Sequence, residues 1–460
     1  MKLKEIQTQD DIRALFKDRE VEYVHVAMVD HQGQFRGKCI AGEHFLKGLQ
    51  SGIPMDEHMN AADFKDAHII PGFFDETVEH GDVPCRIVPE SCREIPWEHP
   101  RRNLFFLLEY QEKGSDIDPR RICRNVMEKF EGLGFSIHQA IEYEFMLFNE
   151  TPRSVREKGY RNLDLMVPMD LAVYKSSMVH TVWSEFFNDL IDVMTTMDID
   201  LETLHWELGQ SFAEATIQYE NGMRAIDNAS VFKTFAKAFA MRRDLLLSFM
   251  ARWSNEADGS GSHIHVSLRD DQGKPVFYDE NAEHGMSAAM RHFIGGLQKL
   301  LPELFVLLAP NVNSYKRFVP DIYAPMAATW GLENKTCAIR AITGAPNSQR
   351  VECRVAGADA NPYLISACVL GAGLWGIQNK VAPSDPTFGS AWIQMENVPL
   401  EYHFPDSFRR AIGRFRNSEV AKQLYGERFV QIFSDYRDGQ ESKFRQFITD
   451  KELEWFLELS

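Results

Sequence analysis

The sequence is poor in cysteine and has none in the pairs that bind zinc. Its seven cysteines are scattered over 460 residues, and none stands in the CxxC spacing of a thiolate zinc site. An odd count in a chain of this size predicts free, buried thiols in a reducing compartment. The sequence also has no Walker A motif, so a nucleotide site in this chain must be of another type.

The sequence also lacks long apolar runs and clustered positive charge. Its longest apolar stretch, Tyr363 to Ile377, contains Ser366 and is too short for a membrane span, which favours a buried helix. The N-terminus, MKLKEIQTQDD, has no apolar signal core, so we expect a cytoplasmic protein without a membrane partner. The net charge of −17 argues against a nucleic-acid partner. It is compatible with cationic substrates, although a solubilising surface is the simpler explanation.

The first part of the chain is rich in short strands. The segment 22–30 alternates in polarity and is followed by the turn HQGQ and by FRGKCI, which predicts a β-hairpin. A further strand is predicted for 102–111. Gly114 then breaks the pattern, and Asp118 stands directly before Pro119, which is typical of a helix N-cap.

The rest of the chain alternates helical segments with short strands. Helical spacing is clear over 177–197, 228–252 and 362–379, and several helices are predicted after residue 405. This order indicates an α+β fold rather than a strict βαβ series. We predict two domains, residues 1–114 and 115–460.

Two pairs of glutamates stand where strands are predicted. In SIHQAIEYEFMLF (136–148), Glu142 and Glu144 share one face of a strand, and a bound cation would relieve their repulsion. Glu207 and Glu214 flank the sequence LGQS, and their odd spacing needs a turn or bulge at Gly209 to bring them together. Solvated surface acids are the alternative for each pair taken alone.

Histidines and arginines occur in three further motifs. In DGSGSHIHVSL (258–268), glycines predict a tight turn, and His263, His265 and Ser267 share the face of the strand that follows. In SQRVECRVAGADANPYL (348–364), one strand face carries Arg350, Glu352 and Arg354. This triplet is either an ion-pair ladder or a metal carboxylate between two anion-binding guanidiniums.

Two basic segments complete the set of motifs. NSYKRFVP and ENKTCAIRAI add cations of the kind that a phosphoryl-transfer site directs at the transferring group, namely Arg317, Lys335 and Arg340. The candidate metal ligands are five carboxylates and one imidazole: Glu142, Glu144, Glu207, Glu214, His263 and Glu352. Ligands dominated by oxygen suit Mg²⁺ or Mn²⁺ rather than zinc.

Taken together, these motifs resemble those of the glutamine synthetase family. The blocks IEYEF, the Glu207/Glu214 pair, GSGSHIH, NSYKR and RVECR with ANPYL stand in the family's order and at similar spacing. The resemblance implies an N-terminal β-grasp domain and a catalytic domain of antiparallel strands flanked by helices. It also implies a homo-oligomer of six-membered rings, a hexamer or a dodecamer, with active sites between neighbouring subunits.

The resemblance further implies a role for each candidate residue, with two to three Mg²⁺ or Mn²⁺ ions in each active site. One metal would be bound by Glu144, Glu207 and Glu214, and a second by Glu142, His263 and Glu352. Glutamate would be positioned by Asp258, Gly259, Arg317 and Arg354. ATP, the co-substrate, would be contacted by Glu207, Tyr219, His265, Ser267, Lys335, Arg340 and Arg350. Arg317 and Arg340 would also be catalytic. In the implied reaction, ATP phosphorylates the γ-carboxylate of glutamate and an amine then attacks the acyl phosphate.

The sequence departs from the family's pattern where the amine would bind. Tyr323 stands where ammonia-using members have a glutamate, and Asp56 is the nearest candidate for their catalytic aspartate. The phrase DHQGQFRGKCI resembles the branch of γ-glutamyl-polyamine and γ-glutamyl-monoamine ligases. We therefore expect an ATP-dependent glutamate–amine ligase of nitrogen-source catabolism whose amine is larger than ammonia. An ordinary glutamine synthetase and a non-catalytic ring homologue are the alternatives.

Overall fold

Two β-sheets and a set of helices make up this chain. The computed structural model describes residues 3–60, 62–67, 81–169, 173–319 and 324–459. Over these residues the strands are β1 Tyr23–Val29, β2 Phe35–Ala41, β3 Ile53–Met55, β4 Val83–Ile87, β5 Arg93–Glu94, β6 Leu104–Tyr110, β7 Phe135–Phe148, β8 Leu201–Trp206, β9 Phe212–Ile217, β10 Glu220–Asn221, β11 Leu246–Ser248, β12 Ser262–Asp270, β13 Trp330–Leu332, β14 Ile339–Ile342 and β15 Arg350–Cys353.

Helices follow or separate these strands along the whole chain, so the α+β class predicted from the sequence is confirmed. Over the same residues the α-helices are α1 Gln9–Arg19, α2 Gly42–Ser51, α3 Pro119–Glu131, α4 Pro152–Glu157, α5 Ser177–Val182, α6 Ser184–Thr196, α7 Met223–Met241, α8 Ala288–Leu304, α9 Pro362–Gln378, α10 Phe408–Arg416, α11 Glu419–Tyr425, α12 Glu427–Phe444 and α13 Asp450–Phe456.

The first sheet is formed by the N-terminal part of the chain. Its strand order is β2-β1-β6-β4-β3, and β5 pairs with β6. β1 pairs antiparallel with β2, as predicted for the hairpin, and parallel with β6, the strand predicted over 102–111. Helices α1 and α2 pack together on this sheet, where the ring of Phe45 lies 5.0 Å from those of Phe16 and Phe106. Stacked aromatic rings of this kind account for a large part of the apolar area that a small sheet buries.

The second sheet positions the candidate site. Its strand order is β13-β14-β15-β12-β7-β9-β8, and β10 and β11 also pair with β7. The central strand β7 is antiparallel to β12 on one side and to β9 on the other. Because side chains alternate along a strand, Ile141, Tyr143 and Phe145 are buried in the core while Glu142 and Glu144 face the opposite side.

Helices α8 and α9 pack against each other at backbone contact. A Cβ atom on Gly296 would lie 2.2 Å from the carbonyl oxygen of Ala372, and one on Gly376 would lie 2.1 Å from that of His292. Only glycine permits so close an approach. α9 is buried along nearly its whole length, as predicted for this apolar stretch. Among the helices of the described residues, none is long and apolar enough to cross a membrane.

Helix α3 ties the first sheet to the helices behind the second. It begins at Pro119, and the side chain of Asp118 caps it as predicted by accepting a hydrogen bond from the Arg120 backbone N–H at 2.9 Å. The Arg120 guanidinium is 1% exposed and forms ion pairs with Glu109 of β6 and Asp227 of α7. The Tyr363 hydroxyl also donates to Asp227, at 2.7 Å. A buried polar network therefore joins the two parts of the chain.

Two predicted helices differ from those observed. The helix predicted over 228–252 begins earlier and ends at Met241, because the following residues pair with β7 and form β11. The helix predicted over 177–197 is divided into α5 and α6 at Trp183, where φ is −105° and ψ is 20°. In both cases pairing or packing overrides the local helical pattern.

The cysteines are free, as the sequence predicted. All seven lie in the described residues, and six are buried while Cys39 of β2 is exposed, which the sequence did not predict. Burial raises the pKa of the Cys92 and Cys353 thiols to about 12, so these thiols are unreactive at neutral pH.

The buried network at Arg120 gives a prediction about stability. Arg120→Met leaves the carboxylates of Glu109 and Asp227 buried without their shared partner, and we expect a loss of about 3–5 kcal/mol in the free energy of unfolding. Arg121→Met is the matched control, because Arg121 is one-third exposed and its nearest carboxylate, on Glu128, is 3.9 Å away. Thermal unfolding followed by calorimetry measures the difference. Equal midpoints for the two variants would contradict a structural role for the network.

Candidate active site

One cavity collects nearly all of the residues that the sequence indicated. It has a volume of about 1180 Å³ and is lined mainly by the second sheet. Of the predicted site residues that the structure describes, all but Asp56 line it. The predicted residues that share this cavity are Glu142, Glu144, Glu207, Glu214, Tyr219, Asp258, Gly259, His263, His265, Ser267, Arg317, Lys335, Arg340, Arg350, Glu352 and Arg354.

The carboxylates of β7 lie at the floor of this cavity. The strand register places Glu142 opposite His263 of β12 and Glu144 opposite Glu214 of β9. An oxygen of Glu142 lies 3.2 Å from Nδ1 of His263, and its other oxygen lies 3.1 Å from Nε2 of His265. Glu144 accepts a hydrogen bond from the Gly261 backbone N–H. Both carboxylates are therefore fixed by neighbouring strands before any ligand binds.

A hairpin supplies the second glutamate pair. β8 and β9 are joined by a turn in which Gly209 has a φ of +116°, and the Glu207 backbone N–H donates to the Phe212 carbonyl at 2.7 Å. This turn brings Glu207 and Glu214 to the same cavity, as the sequence predicted. His205 of β8 lies opposite Glu214 in the register, and its Nε2 is 2.8 Å from a Glu207 oxygen.

Arg350, Glu352 and Arg354 all face the cavity, as the alternation predicted for their strand requires. Their contacts within the cavity differ. Glu352 is 1% exposed and bonds to Arg340 of β14 at 3.0 Å and to Arg354 at 2.5 Å. Arg350 instead donates to Nδ1 of His265 at 3.2 Å and to the Ser348 carbonyl at 2.9 Å. The triplet is therefore not a continuous ion-pair ladder, because Arg350 bonds to His265 and Ser348 and not to a carboxylate.

Among the described residues, three groups of side chains in this cavity have the geometry to hold a metal ion. Within each group, one ligand atom from every residue lies within 4.8 Å of the others. The groups are Glu142, Glu214 and His263; Glu142, His265 and Glu352; and His205, Glu207 and Glu214. Carboxylate oxygens with one imidazole form a donor set suited to Mg²⁺ or Mn²⁺.

The charge balance of the cluster also fits bound cations. Burial raises the pKa of Glu214 to about 9, the charges of Glu142, Glu144 and Glu207 add to this effect, and the ammonium of Lys175 acts against it. Burial would also raise the pKa of Glu352, but the Arg354 guanidinium and the imidazoles of His265 and His263 lower it to about 2. At Glu214, burial and the neighbouring carboxylates therefore outweigh the Lys175 ammonium, and a bound cation would relieve this repulsion.

Two arginines are positioned to meet an anion in the cavity. Arg317 is 4% exposed, and burial lowers the pKa of its guanidinium while the Glu144 carboxylate acts in the opposite direction. Its Nη1 donates to the Val355 carbonyl at 3.2 Å, and its Nε has no partner in the described part of the chain. Arg340 bridges Glu352 and Glu333. Guanidiniums held in this way, one buried and one partly exposed, suit carboxylate and phosphate groups.

Gly259 leaves the space through which Arg317 reaches the cavity. A Cβ atom at this position would lie 2.4 Å from Cγ of Arg317 and 2.9 Å from the carbonyl oxygen of Ala251. The neighbouring Asp258 also lines the cavity, and burial raises the pKa of its carboxyl. Glycine is therefore required where the turn passes under the arginine.

The strand register gives the cavity two ends. At one end, which we call the Ser267 end, Ser267 lies opposite His138, whose ring is 6.2 Å from that of Tyr219. At the other end, which we call the Glu144 end, Glu144 lies opposite Glu214 and close to Gly261. Glu142 and the two histidines lie between the ends.

Some residues of the cavity were not predicted from the sequence. His205 stands two residues before Glu207, so the alternation that identified Glu142 and Glu144 could have identified it as well. Glu202 at the start of β8 also lines the cavity, whereas Glu207 groups with His205 and Glu214. Glu207 thus lies in a group that could hold a metal ion, and its predicted contact with ATP stays a prediction.

One predicted residue lies elsewhere in the chain. Asp56 follows β3, is half exposed, and pairs with His58 outside the cavity of its own chain. The prediction for Tyr323 falls outside the described residues.

Comparison with known proteins identifies a family. The family model for the catalytic domain of glutamine synthetase matches residues 116–456. Three relatives match over nearly the full length of both chains. The glutamate–isopropylamine ligase of a Pseudomonas species is 29% identical, and 97% of each chain is covered. The gamma-glutamylethanolamide synthetase of Streptomyces coelicolor is 31% identical, with 96% of this chain and 94% of the relative covered.

The third relative and a solved structure agree with this result. The gamma-glutamylputrescine synthetase of Escherichia coli is 30% identical, and 98% of this chain and 94% of the relative are covered. Proteins named glutamine synthetase match over the same span at 28–30% identity. Apo GmaS without ligand has the same fold, with a TM-score of 0.83 at 21% identity over 97% of this chain and 99% of that one.

Glu214 gives a prediction about pH. Its pKa of about 9 in the metal-free protein lies above its ordinary value of 4.5, so folding takes up a proton between these values. The contribution of this group to stability is therefore full below pH 4.5 and is lost as the pH rises towards 9. We expect the midpoint of thermal unfolding of the metal-free protein to fall from pH 5 to 9, and Mg²⁺ to oppose the fall because metal binding displaces the proton.

The variant Glu214→Gln tests the assignment. It is expected to flatten the pH dependence and to remove the effect of Mg²⁺ on it, because the amide neither titrates nor carries charge. Glu220→Gln, on β10 of the same sheet and partly exposed, is the control and should behave like the parent protein. An unchanged slope in the Glu214→Gln variant, measured by calorimetry at each pH, would show that another group is responsible.

Proposed function

Since this chain belongs to the glutamine synthetase family, we propose that it joins the γ-carboxylate of glutamate to an amine at the expense of ATP. It is then an ATP-dependent carbon–nitrogen ligase that forms γ-glutamyl amides through γ-glutamyl phosphate. One observation carries this proposal above the others. A cluster of carboxylates and histidines lies between arginines in one cavity, in a chain whose full-length relatives include glutamate–amine ligases.

The residues of the cavity fit divalent cations, and we propose Mg²⁺ or Mn²⁺, two to three in each active site. Glu144, Glu207 and Glu214 would hold one ion, because Glu144 lies opposite Glu214 and Glu207 groups with Glu214 and His205. A second ion would be held by Glu142, His263 and Glu352, because Nδ1 of His263 lies 3.2 Å from Glu142 and 3.7 Å from Glu352. When bound, these ions would neutralise charge on the phosphate groups. The carboxylates carry the negative charge that such ions require, while Arg340 and Arg354 keep Glu352 ionised and oriented.

Residues at the two ends of the cavity would hold the two larger substrates. ATP would lie towards the Ser267 end, where Tyr219 offers a ring to the base and Ser267, His265, Arg350, Lys335 and Arg340 contact the rest of the nucleotide. Glutamate would lie at the Glu144 end, with Arg317 and Arg354 on its carboxylates and with Asp258 and the Gly259 backbone near its amino group. Arg317 and Arg340 are the proposed catalytic cations.

The proposed reaction has two steps, phosphorylation of glutamate and attack by the amine. A γ-carboxylate oxygen attacks the γ-phosphorus of ATP and ADP leaves; the amine nitrogen then attacks the acyl carbon and phosphate leaves. The amine must lose protons on the way. An alkylammonium has a pKa of about 10.4 by analogy with lysine, so its deprotonation at pH 7 costs about 4–5 kcal/mol. A base is needed, and we propose Asp56 of a neighbouring subunit, because Asp56 lies outside the cavity of its own chain.

The same reasoning extends to the assembly. We propose that the first sheet is a β-grasp domain spanning 1–114, that residues 115–460 form the catalytic domain, and that subunits assemble in six-membered rings as hexamers or dodecamers. Exposed apolar side chains on the C-terminal helix support an oligomer, with Trp455 62% and Leu457 73% exposed in the single chain. The free cysteines support a cytoplasmic location.

The amine is proposed to be larger than ammonia. The relatives named for isopropylamine, ethanolamine and putrescine support this proposal, as does the tyrosine at position 323 in the sequence. A tyrosine in place of a carboxylate removes a charge that would hold a small ammonium ion and adds an apolar wall for a carbon chain. A role in the use of amines as nitrogen sources follows.

Gly259 gives a test of the glutamate site. Gly259→Ala is expected to displace Arg317 and to raise the KM for glutamate at least about tenfold, with little change in the KM for ATP, because one charge-assisted contact is lost. Gly413→Ala on α10, where an added Cβ meets nothing within 4 Å, is the control. Steady-state kinetics distinguish the cases. A matched rise in both KM values would mean that the whole cavity had been disturbed.

A panel of amines tests the function itself. Phosphate release from ATP and L-glutamate is measured with Mg²⁺ and, in parallel, ammonia, putrescine, ethanolamine, isopropylamine and a phenylethylamine. We expect one class of amine to exceed ammonia in kcat/KM at least about tenfold, since binding the carbon chain adds transition-state interactions. The best rate with ammonia would identify an ordinary glutamine synthetase, and no release with any amine would support a non-catalytic homologue.

A further inference from the structure

One stretch of the cavity wall at the Glu144 end is not used by any role assigned above. It consists of Tyr174 and Lys175, which precede α5, and of Leu208, which follows β8. We call these three residues the amine wall. They border Glu207, a proposed metal ligand, on the side away from the β14 and β15 arginines, because β8 is the last strand on its side of the sheet.

The backbone of the amine wall is firmly held. The Lys175 backbone N–H donates to the Trp206 carbonyl at 2.9 Å, and Lys175 adopts a φ of +50°, which is unusual for a residue with a side chain. On one side Val173 is buried, and on the other the Ser176 hydroxyl caps α5 by accepting from the Val179 N–H at 3.3 Å. Lys175 is thus fixed beside the end of β8, one residue from Glu207.

The side chains of the amine wall offer an apolar surface and one positive charge. Tyr174 is 50% exposed and Leu208 is 52% exposed, although both line the cavity. The Lys175 ammonium lies 5.3 Å from the centroid of the Tyr174 ring, so the positive charge stands directly over the apolar surface. The Leu208 backbone N–H donates to the Glu207 carboxylate at 3.2 Å, which keeps Leu208 next to the metal-binding group.

The charges around this end of the cavity disfavour a second cation. Once the clustered carboxylates are committed to metal ions, and Arg317 and Arg354 to the carboxylates of glutamate, the charge that the amine wall itself presents is the Lys175 ammonium. A substrate with one amino group brings no lasting charge, because that group is deprotonated before it attacks. A diamine would bring a further ammonium against this like charge.

We propose that the amine substrate is a monoamine, that its carbon chain packs on Tyr174 and Leu208, and that Lys175 excludes diamines and polyamines. This inference rests on the proposed function and narrows it to a substrate class. It makes Lys175 a specificity-determining residue that distinguishes this chain from a putrescine-using enzyme. The apolar surface of Tyr174 and Leu208 would then contact the alkyl chain of the substrate, which is a few carbons long.

Two substrates that differ by one charge give the sharpest test. n-Butylamine and 1,4-diaminobutane have the same carbon chain, and 4-amino-1-butanol has an uncharged polar group in place of the second amine. For the parent enzyme we expect kcat/KM for n-butylamine to exceed that for 1,4-diaminobutane at least about tenfold, with the amino alcohol much closer to n-butylamine, since only the charge is repelled.

Variants of Lys175 separate its charge from its size. Lys175→Gln is expected to reduce the preference for n-butylamine, and Lys175→Glu to reverse it in favour of 1,4-diaminobutane, chiefly through KM. Lys17→Glu, on the exposed side of α1, makes the same change in net charge and should leave the preference unaltered. Leu208→Ala should raise the KM for n-butylamine more than that for ammonia.

The outcomes distinguish this inference from the proposed function. Equal or better use of 1,4-diaminobutane by the parent enzyme would overturn the inference alone, and so would an unchanged preference in both Lys175 variants. A lack of turnover with every amine, ammonia included, would overturn the proposed function and the inference with it. If Lys175→Glu does not fold, Lys175→Gln and the parent enzyme still decide the question.

Discussion

Mutual repulsion of carboxylates is the constraint around which the second sheet is built. Glu144 and Glu214 lie opposite each other on adjacent strands, Glu142 and Glu207 lie nearby, and all are partly withdrawn from water. Like charges so placed favour protonation or a counter-ion. Histidines from β8 and β12 and arginines near β14 and β15 surround the group, yet Glu214 is still repelled by the carboxylates next to it. Bound cations would relieve this repulsion and hold the strands in register.

The arrangement of arginines follows from the same constraint. Arg340 and Arg354 form ion pairs with Glu352, which partly neutralises their charge. Arg350 and Arg317 form no such close carboxylate bond among the described residues. The site therefore has guanidiniums of two kinds. Arg340 and Arg354 hold Glu352, whereas the described residues give Arg317 and Arg350 no carboxylate bond that competes with an anionic substrate. A simple ion-pair ladder would have left none available.

The sequence predicted the parts of the site that depend on strand alternation. Glu142 and Glu144, His263 and His265, and the β15 triplet fall on the predicted faces because period-two spacing is a local property. The position of Glu207 against Glu214 needed the turn at Gly209, which glycine made predictable. Lys175 was missed because it lies in an irregular segment whose place is set by a single backbone bond to Trp206. β11 was missed because pairing with β7 is not a local property.

Tyr174, Lys175 and Leu208 lie outside the strands that align the candidate metal ligands. Substitutions of these three side chains would change what the cavity accepts without shifting the register of β7, β9 or β12. Selection can therefore alter the preferred nucleophile while the phosphate-transfer apparatus stays intact. Because the two sets of residues are separate, gene duplicates could diverge towards different nitrogen compounds through a few substitutions in the loops that carry these three residues. The strands that carry out phosphate transfer would remain unchanged at each step.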